Sequence, residues 1–440
     1  MRNNLEAIVQ EKPSKFSKWI KNSKGFVMRK ALPWMLLGAL AVGAYTWQPA
    51  PNEPKFHRYG NIEISEPIRL TDGWCDDTPA WSPDSTKLAY NAIEDTNKNN
   101  EVELAEDRSF LCVVDVDKKE SKKIYEGVVG RITWVHTPDG EFIYFLSRGE
   151  GGYDIYRIKP DGGGLENITN TPYIANTPYS EEGFLLTSQR DKIIYSVFLE
   201  SKTIPSAYSV WIMDVDGKNK EKLLDYVDLY VTSISQDGKK FLFQRRIDTN
   251  NDGNFEFEPT QVFEYDLETN QERQLTEYGI NGGALYCNDG KTIIYNSGED
   301  LNKDGKADYE HSYKIHVMNS DGTEDRRLIE DIGYKGGYEG IKVNDTNIDY
   351  LVVSLIKEDV NGDGIISTMD VSENNLYLLS AEGKELVKLG SWPDYFEVAV
   401  SPDGKYIAHV KLIDPPLPYP HSGWSGTISN IYMVEIKIKK

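Results

Sequence analysis

The sequence predicts an all-β fold, a seven-bladed β-propeller of four-stranded blades closed by an N-terminal strand, and three observations support it. After Arg58 the chain is a series of short Ile, Val, Tyr and Phe runs alternating with polar residues and cut by Asp, Gly and Asn turns, with no convincing helix. The runs recur in a fixed order of four, and the turn after the first run occurs seven times. The fourth run missing from the last copy stands at the front of the repeat region.

The first run of each copy ends in a tight turn: AWSPDS at Asp84, VHTPDG at Asp139, LTSQRD at Asp191, SISQDG at Asp237, LYCNDG at Asp289, IKVNDT at Asp345 and AVSPDG at Asp403. A second run follows each turn (KLAYNA, EFIYFL, KIIYSV, KFLFQR, TIIYNS, DYLVVS, KYIAHV), then a third (FLCVVDVD, DIYRIKPD, SVWIMDVD, QVFEYDLE, KIHVMNSD, NLYLLSAE, NIYMVEIK). A more polar fourth run closes six copies (SKKIYEG, LENITNT, KEKLLDY, ERQLTEY, DRRLIED, ELVKLGS), and the seventh copy lacks one. EPIRLTDG, beginning at Glu66, reads like ERQLTEY, so Glu66 to Thr71 is expected to pair beside NIYMVEIK and remove two bare sheet edges at once. The turn acids are 46 to 58 residues apart, above the ~40–45 residues of a four-stranded blade, and the excess falls in the hairpin between second and third runs.

The SPDG-type turn and the polar fourth strand resemble the TolB-like, WD40-like (PD40) propeller family over nearly all of residues 59–440. That resemblance implies a platform that binds proteins or other ligands. The blade count exceeds that of the family's type member, so no particular partner carries over, and the Gly-His and Trp-Asp signature of WD40 repeats is absent.

Four copies carry acidic insertions in the hairpin between second and third strands. Calcium takes six to eight oxygens, and side chains at loop positions 1, 3 and 5 with a glycine at 6 let a short backbone curl around the ion. Asp300, Asn302, Asp304, Lys306 (through its carbonyl) and Asp308 fit this pattern, as do Asp248, Asn250, Asp252, Asn254 (carbonyl) and Glu256. These two resemble the calcium hairpins of integrin-type propellers, since position 12 is His311 or Pro259. Asp359, Asn361, Asp363, Ile365 (carbonyl), Ser367 and Asp370 match an EF-hand-like loop, with Asp in place of the usual Glu at 12. Asp95, Asn97, Asn99, Glu101, Glu103 and Glu106 keep that spacing, with Asn100 replacing the glycine. Up to four Ca2+ ions are expected; Asx-rich turns without metal are the competing reading.

Charge divides the chain. Residues 1–47 hold eight Lys/Arg against two acids, so with −21 overall the remainder carries −27. An acidic body repels nucleic acid, and a cation is its natural ligand. Residues 31–47 are uncharged, with Trp34, Tyr45 and Trp47 near the ends, which suits a membrane span whose basic flank stays cytoplasmic. The expected organisation is a basic cytoplasmic tail (1–30), a transmembrane anchor or signal segment (31–47), a linker (48–59) and the propeller (60–440). Small residues Val42, Gly43 and Ala44 leave a cleaved signal peptide and a secreted body as the alternative. Both readings place the body outside the cytoplasm.

Three cysteines, Cys75, Cys112 and Cys287, exclude a dense disulfide framework; a Cys75–Cys112 bridge is the one pairing considered. The insertion from Asp414 to Gly426 offers Tyr419, His421 and Trp424 as contact groups on the same hairpin position. Asn167-Ile-Thr169 and Asn344-Asp-Thr346 are sequons of a kind that arises often by chance. The chain is expected to be a non-catalytic, membrane-anchored binding platform or envelope scaffold, with an unidentified protein or glycan as partner on the loop-rich face. A propeller lyase or another carbohydrate-active enzyme is the alternative, but His136, His311, His316 and His409 are dispersed over several copies. No G-x-S-x-G turn is present for a hydrolase.

Overall fold

A computed structural model describes residues 55–438, apart from 60–61, 74, 97, 99–106, 149–151, 171–182, 200–206, 228, 249–258, 288–289, 299–312, 330–332, 345–346, 357–373, 381–385, 393–397 and 413–428. Pro54–Lys440 is one compact unit; Met1–Glu53, including the candidate membrane span, lies outside the described residues. Among the described residues there are thirty strands, no helix, and thus no helix long and apolar enough to cross a membrane.

A hairpin of β1 (Phe56–Tyr59) and β2 (Ile62–Ser65) comes first, then the short β3 (Ile68–Arg69). Blade one is β4 (Cys75–Trp81), β5 (Lys87–Glu94), β6 (Arg108–Asp115) and β7 (Glu120–Glu126); blade two is β8 (Val129–Thr137), β9 (Gly140–Arg148), β10 (Tyr153–Ile158) and β11 (Glu166–Asn167). Blade three is β12 (Phe184–Leu186), β13 (Lys192–Leu199), β14 (Ala207–Asp214) and β15 (Glu221–Val227); blade four is β16 (Leu229–Ile234), β17 (Lys240–Arg246), β18 (Thr260–Asp266) and β19 (Gln271–Gln274). Blade five is β20 (Ile280–Tyr286), β21 (Thr292–Gly298), β22 (Tyr313–Asn319) and β23 (Arg326–Arg327); blade six is β24 (Gly333–Asn344), β25 (Asn347–Ile356), β26 (Asn374–Ser380) and β27 (Leu386–Trp392). The last blade is β28 (Val398–Val400), β29 (Tyr406–Leu412) and β30 (Ser429–Ile438), completed by β3. Within every blade, strands pair antiparallel in this order. At five of the seven junctions the first strands of neighbouring blades touch one another, so the first strands are the innermost.

Strand alternation explains the core. In β5 and β6, Leu88, Tyr90, Phe110, Cys112 and Val114 pack against Ala408, Ile431 and Met433 of the last blade. The intervening Ala89, Leu111 and Val113 pack against Trp134, Ile143 and Phe145 of blade two. Both faces of a blade are therefore buried, which is why its second and third strands are nearly continuous apolar runs. Seven such clusters occur among the described residues, one for each blade junction, including the junction of the last blade with the first.

Closure is as the repeat pattern requires. Ile68 pairs with Met433 and Arg69 with Tyr432. The N–H of Leu70 donates to Ile431 O at 2.9 Å, while Ile431 N donates to the Thr71 hydroxyl at 3.0 Å. Residues ahead of this segment add a feature the sequence pattern did not reveal. The hairpin Phe56–Ser65 continues the closing strand, with Ile62 and Ile64 opposite Ile438 and Ile436. Between the two paired stretches lies Pro67, which has no N–H to give. The Ser65 hydroxyl accepts from Glu435 N at 2.8 Å across this gap.

The same hydroxyl device ends other fourth strands. Thr169 Oγ1 accepts from Ile155 N at 2.8 Å and donates to Asp154 at 2.9 Å. Thr276 Oγ1 accepts from Val262 N at 2.9 Å and donates to Gln261 at 2.7 Å. In each case the preceding residue, Ile168 or Leu275, donates its N–H to the carbonyl of that same third-strand residue. This explains the recurring aliphatic-Thr pair of the polar strand, and it gives Thr169 a buried structural task within its sequon. Glycines at third-to-fourth turns serve the next contact outward: at Gly217, where φ is +82°, a Cβ would lie 2.5 Å from Ile168 O of the preceding blade.

Thr276→Val is expected to leave a buried N–H without an acceptor and to cost about 1–3 kcal/mol, read as a lower urea midpoint. An unchanged midpoint would mean that another acceptor replaces the hydroxyl.

Candidate functional site

The acidic insertions leave the propeller from equivalent places. Their last ladder pairs are Glu94 with Arg108, Arg246 with Thr260, Gly298 with Tyr313, and Leu355 with Asn375, each at the end of a second-to-third-strand hairpin. The Asp414 to Gly426 insertion follows the corresponding pair, Leu412 with Ser429. Equivalent hairpins of a ring of like-oriented blades open on one face, so the necks of all five insertions share it.

Of the proposed ligands, Asp95 and Asp248 are described, both half-buried, one and two residues past their last ladder residues Glu94 and Arg246. The remaining ligands of those two loops, together with every ligand from Asp300 to Asp308 and from Asp359 to Asp370, lie outside the described residues. Among the described residues no group of three or more His, Cys, Asp or Glu side chains could hold a metal. The neck of the Asp95 loop is pinned by Asp107, whose carboxylate accepts from the Thr96 N–H at 2.9 Å and from its hydroxyl at 3.2 Å. Asp107 falls one position beyond the twelve-residue spacing and was not among the ligands read from the sequence.

Polar groups accompany the necks on the first strands. In β4, Asp77 opposes Asn91 and accepts from its amide at 3.0 Å; Ser109, next to the Asp95 neck, donates to Asn91 Oδ1 at 2.7 Å. Burial raises the Asp77 carboxyl above its ordinary range. Asp76 is only 1% exposed, and burial pushes it up to about 6, partly offset by hydrogen bonds from Thr71 and the Gly73 N–H.

On β8 a bulge between Gly130 and Thr133 puts Arg131 at φ +30°. Blade five has the free choice of Gly283, at φ +58°, in its own bulge, whereas an L-residue here is strained. The Arg131 guanidinium is reached by solvent yet enclosed by surrounding blades, so desolvation lowers its pKa. It lies against Gly183, where a Cβ would come within 2.2 Å of Nη1. Neither Asp76 and Asp77 nor Arg131 belongs to a spacing motif, so the sequence offered no signal for them beyond position near the start of a first run.

The described histidines do not converge. His136 is exposed on blade two, His316 meets Asp325 at 3.1 Å on blade five, and His409 is 2% exposed on the last blade, where burial drives it down to about 3. His409 is therefore neutral and stacks on Tyr432 with centroids 6.0 Å apart. Cys112 and Cys287 are buried and in no disulfide, so Cys112 is not half of a bridge; burial pushes Cys112 up to about 12.

No family model matches the chain. An uncharacterized protein of Agrobacterium fabrum is 26% identical over 174 residues, 38% of this chain and 53% of that protein, so the chain spans about half the length of the curated relative it matches. Oligogalacturonate lyase from Vibrio parahaemolyticus superposes with a TM-score of 0.56 at 12% identity, covering 87% of this chain and 97% of its own. TolB from Acinetobacter baumannii gives 0.40 at 15% identity over 80% of each chain. At these identities the likeness extends to the propeller fold alone.

Asp107→Ala is expected to speed limited proteolysis between residues 95 and 107 several-fold, because two hydrogen bonds at the neck are lost, with little change in the global melting temperature. Unchanged cleavage would assign the loop's order to contacts elsewhere.

Proposed function

We propose that the protein is a non-catalytic, calcium-binding propeller, held outside the cytoplasm by residues 31–47, that presents its loop-rich face to a protein or glycan partner. The observation that carries this reading is positional: four insertions with calcium-ligand spacing occupy the same hairpin of their blades and leave one face. A turn needs no such repetition. The acidic body supports a cation at that face, since carboxylates gathered in one loop repel one another until neutralised. The anchor rests on the charge step and the uncharged stretch of residues 31–47. An epitope placed after Gln48 should be cleavable by protease added to cells stripped of any outer envelope but with the cytoplasmic membrane intact, whether the body is periplasmic or extracellular; protection of that epitope would remove the extracytoplasmic assignment.

With dissociation constants of about 0.1–1 mM, as in extracellular modules, ~1 mM calcium would contribute roughly 0.4–1.4 kcal/mol per site. Chelator should therefore lower the melting temperature, and Asp300→Ala combined with Asp359→Ala should remove part of that response while the fold persists. Melting indifferent to calcium from micromolar to several millimolar, with no metal in native mass spectra, would leave these loops as plain turns.

A second reading, a carbohydrate-active propeller acting on acidic sugars, draws on Arg131. A cation in an enclosed place on an innermost strand is suited to a carboxylate, the charged group of the substrate class named for the Vibrio lyase. Incubation with acidic oligosaccharides separates the two: unsaturated product that disappears in Arg131→Ala favours the enzyme, and binding without turnover favours the platform.

A further inference from the structure

Asp76 stands apart from the other deeply buried carboxylates. Glu264 is matched by Lys240 at 2.9 Å, Arg273 at 2.9 Å and the Tyr286 hydroxyl at 2.7 Å. Asp154 receives Thr169 at 2.9 Å and Asn167 at 2.9 Å. Asp76 has hydrogen bonds to Oδ2 alone, from Gly73 N at 3.0 Å, and its buried Oδ1 has no partner among the described residues. A Cβ on Gly73 would lie 2.3 Å from that oxygen, so the closing segment is folded tightly over the carboxyl group. Left charged there, an unpartnered oxygen bears most of the desolvation cost of a buried anion.

The groups around it tie the carboxyl to ring closure. Thr71, whose side chain favours the charged form of Asp76, also accepts from Ile431 N on the last strand. The Ser429 hydroxyl donates to Asp76 O at 3.2 Å, and Asn430 donates to Gly73 O at 3.2 Å. Arg69 holds Asn430 Oδ1 at 2.6 Å. Of the ionisable neighbours, Asp77 and Asp72 on the same stretch oppose a negative charge on Asp76, while Tyr90 and Cys112 on β5 and β6, raised by burial and by the Asp76 carboxylate, stay neutral. From β30 the facing residues are Ser429 and Asn430, and Arg69 turns its guanidinium to Asn430.

We propose that ring closure is proton-dependent: the segment Glu66–Gly73 is held on the last strand while Asp76 is a neutral acid, and it is the first part of the propeller to detach when Asp76 ionises. The sign follows from linkage. The folded carboxyl is raised from 3.8 to about 6, so the folded state holds its proton more tightly than the unfolded chain. Its contribution to closure is complete below about pH 4 and lost as pH rises through about 6. His409, displaced downward on the last blade, acts in the opposite sense, so the effect must be read as a difference between variants.

Hydrogen exchange of the full chain at fixed calcium, corrected for intrinsic rates, tests this between about pH 5 and pH 8. A two-unit displacement corresponds to a change of about 100-fold in all, of which about 10-fold falls between pH 5 and pH 8, because the detached carboxyl is already mostly ionised at pH 5. Protection of residues 66–73 and of the Ile431 amide should fall by up to the latter factor in the wild type, while the Val262 amide of blade four changes little. Asp76→Asn, which stays neutral, should abolish the selective fall. The same pH dependence in Asp76→Asn as in the wild type, or an equal loss across all blades, overturns the proposal. Should Asp76→Asn not fold, the wild-type contrast between Ile431 and Val262 decides alone, and its absence is equally fatal.

Discussion

A blade with two apolar faces cannot be stable by itself, and everything else in this molecule follows from that. Each pair of second and third strands buries one set of alternating residues on the blade before it and the other set on the blade after it. At roughly 1.5–3 kcal/mol for each large aliphatic or aromatic side chain fully buried, an open array would leave two such faces in water. The ring must close, and the seam is where the chain's ends meet. That seam keeps the short ladder and threonine hydroxyl of other fourth strands and adds contacts of its own. It combines a two-residue ladder, three hydroxyl or amide substitutions for backbone partners, and the indole of Trp81 donating to Ala399 O at 2.8 Å.

Much of this was legible in the sequence because it is periodic. The seven turns, the order of four strands and the displaced fourth strand all derive from a repeated backbone task, and repetition reveals it. Ser82 shows the task in full: its hydroxyl accepts from Lys87 N at 2.9 Å and donates to Asp84 at 2.6 Å, and Ser235 and Ser401 do the same with Asp237 and Asp403. What occurs once was not legible. The hairpin Phe56–Ser65 has no counterpart in other blades, and residues 48–59 read only as a linker. Arg131 owes its position to a bulge, which shifts register by one residue without changing composition.

The candidate site divides along the same line. Ligand spacing in the acidic loops is a local pattern, readable without a fold, whereas the structure contributes the common position of their necks. Burial of Asp76 and Asp77 is the reverse case. Two adjacent aspartates ahead of Thr78 and Pro79 look like solvent-facing turn residues, and only the approach of the closing segment and of Asn91 takes them out of water. A charged residue's neighbours in space are set by tertiary contacts, so its chemistry cannot be taken from its neighbours in sequence.

The pairing of Thr71 with Ile431 joins residues 360 positions apart, and this bears on how the protein is made. At synthesis rates of about 5–20 residues per second, the closing segment waits roughly 20–70 s for its partner strand to exist. During that interval it is an unpaired, β-prone stretch at the front of a nascent chain. Its sequence suits the wait: Glu63, Glu66 and Arg69 separate Ile62, Ile64 and Ile68, and Pro67 interrupts the run. Charges and a proline so placed discourage strand-to-strand association between chains, which keeps the seam available for the one partner that arrives last.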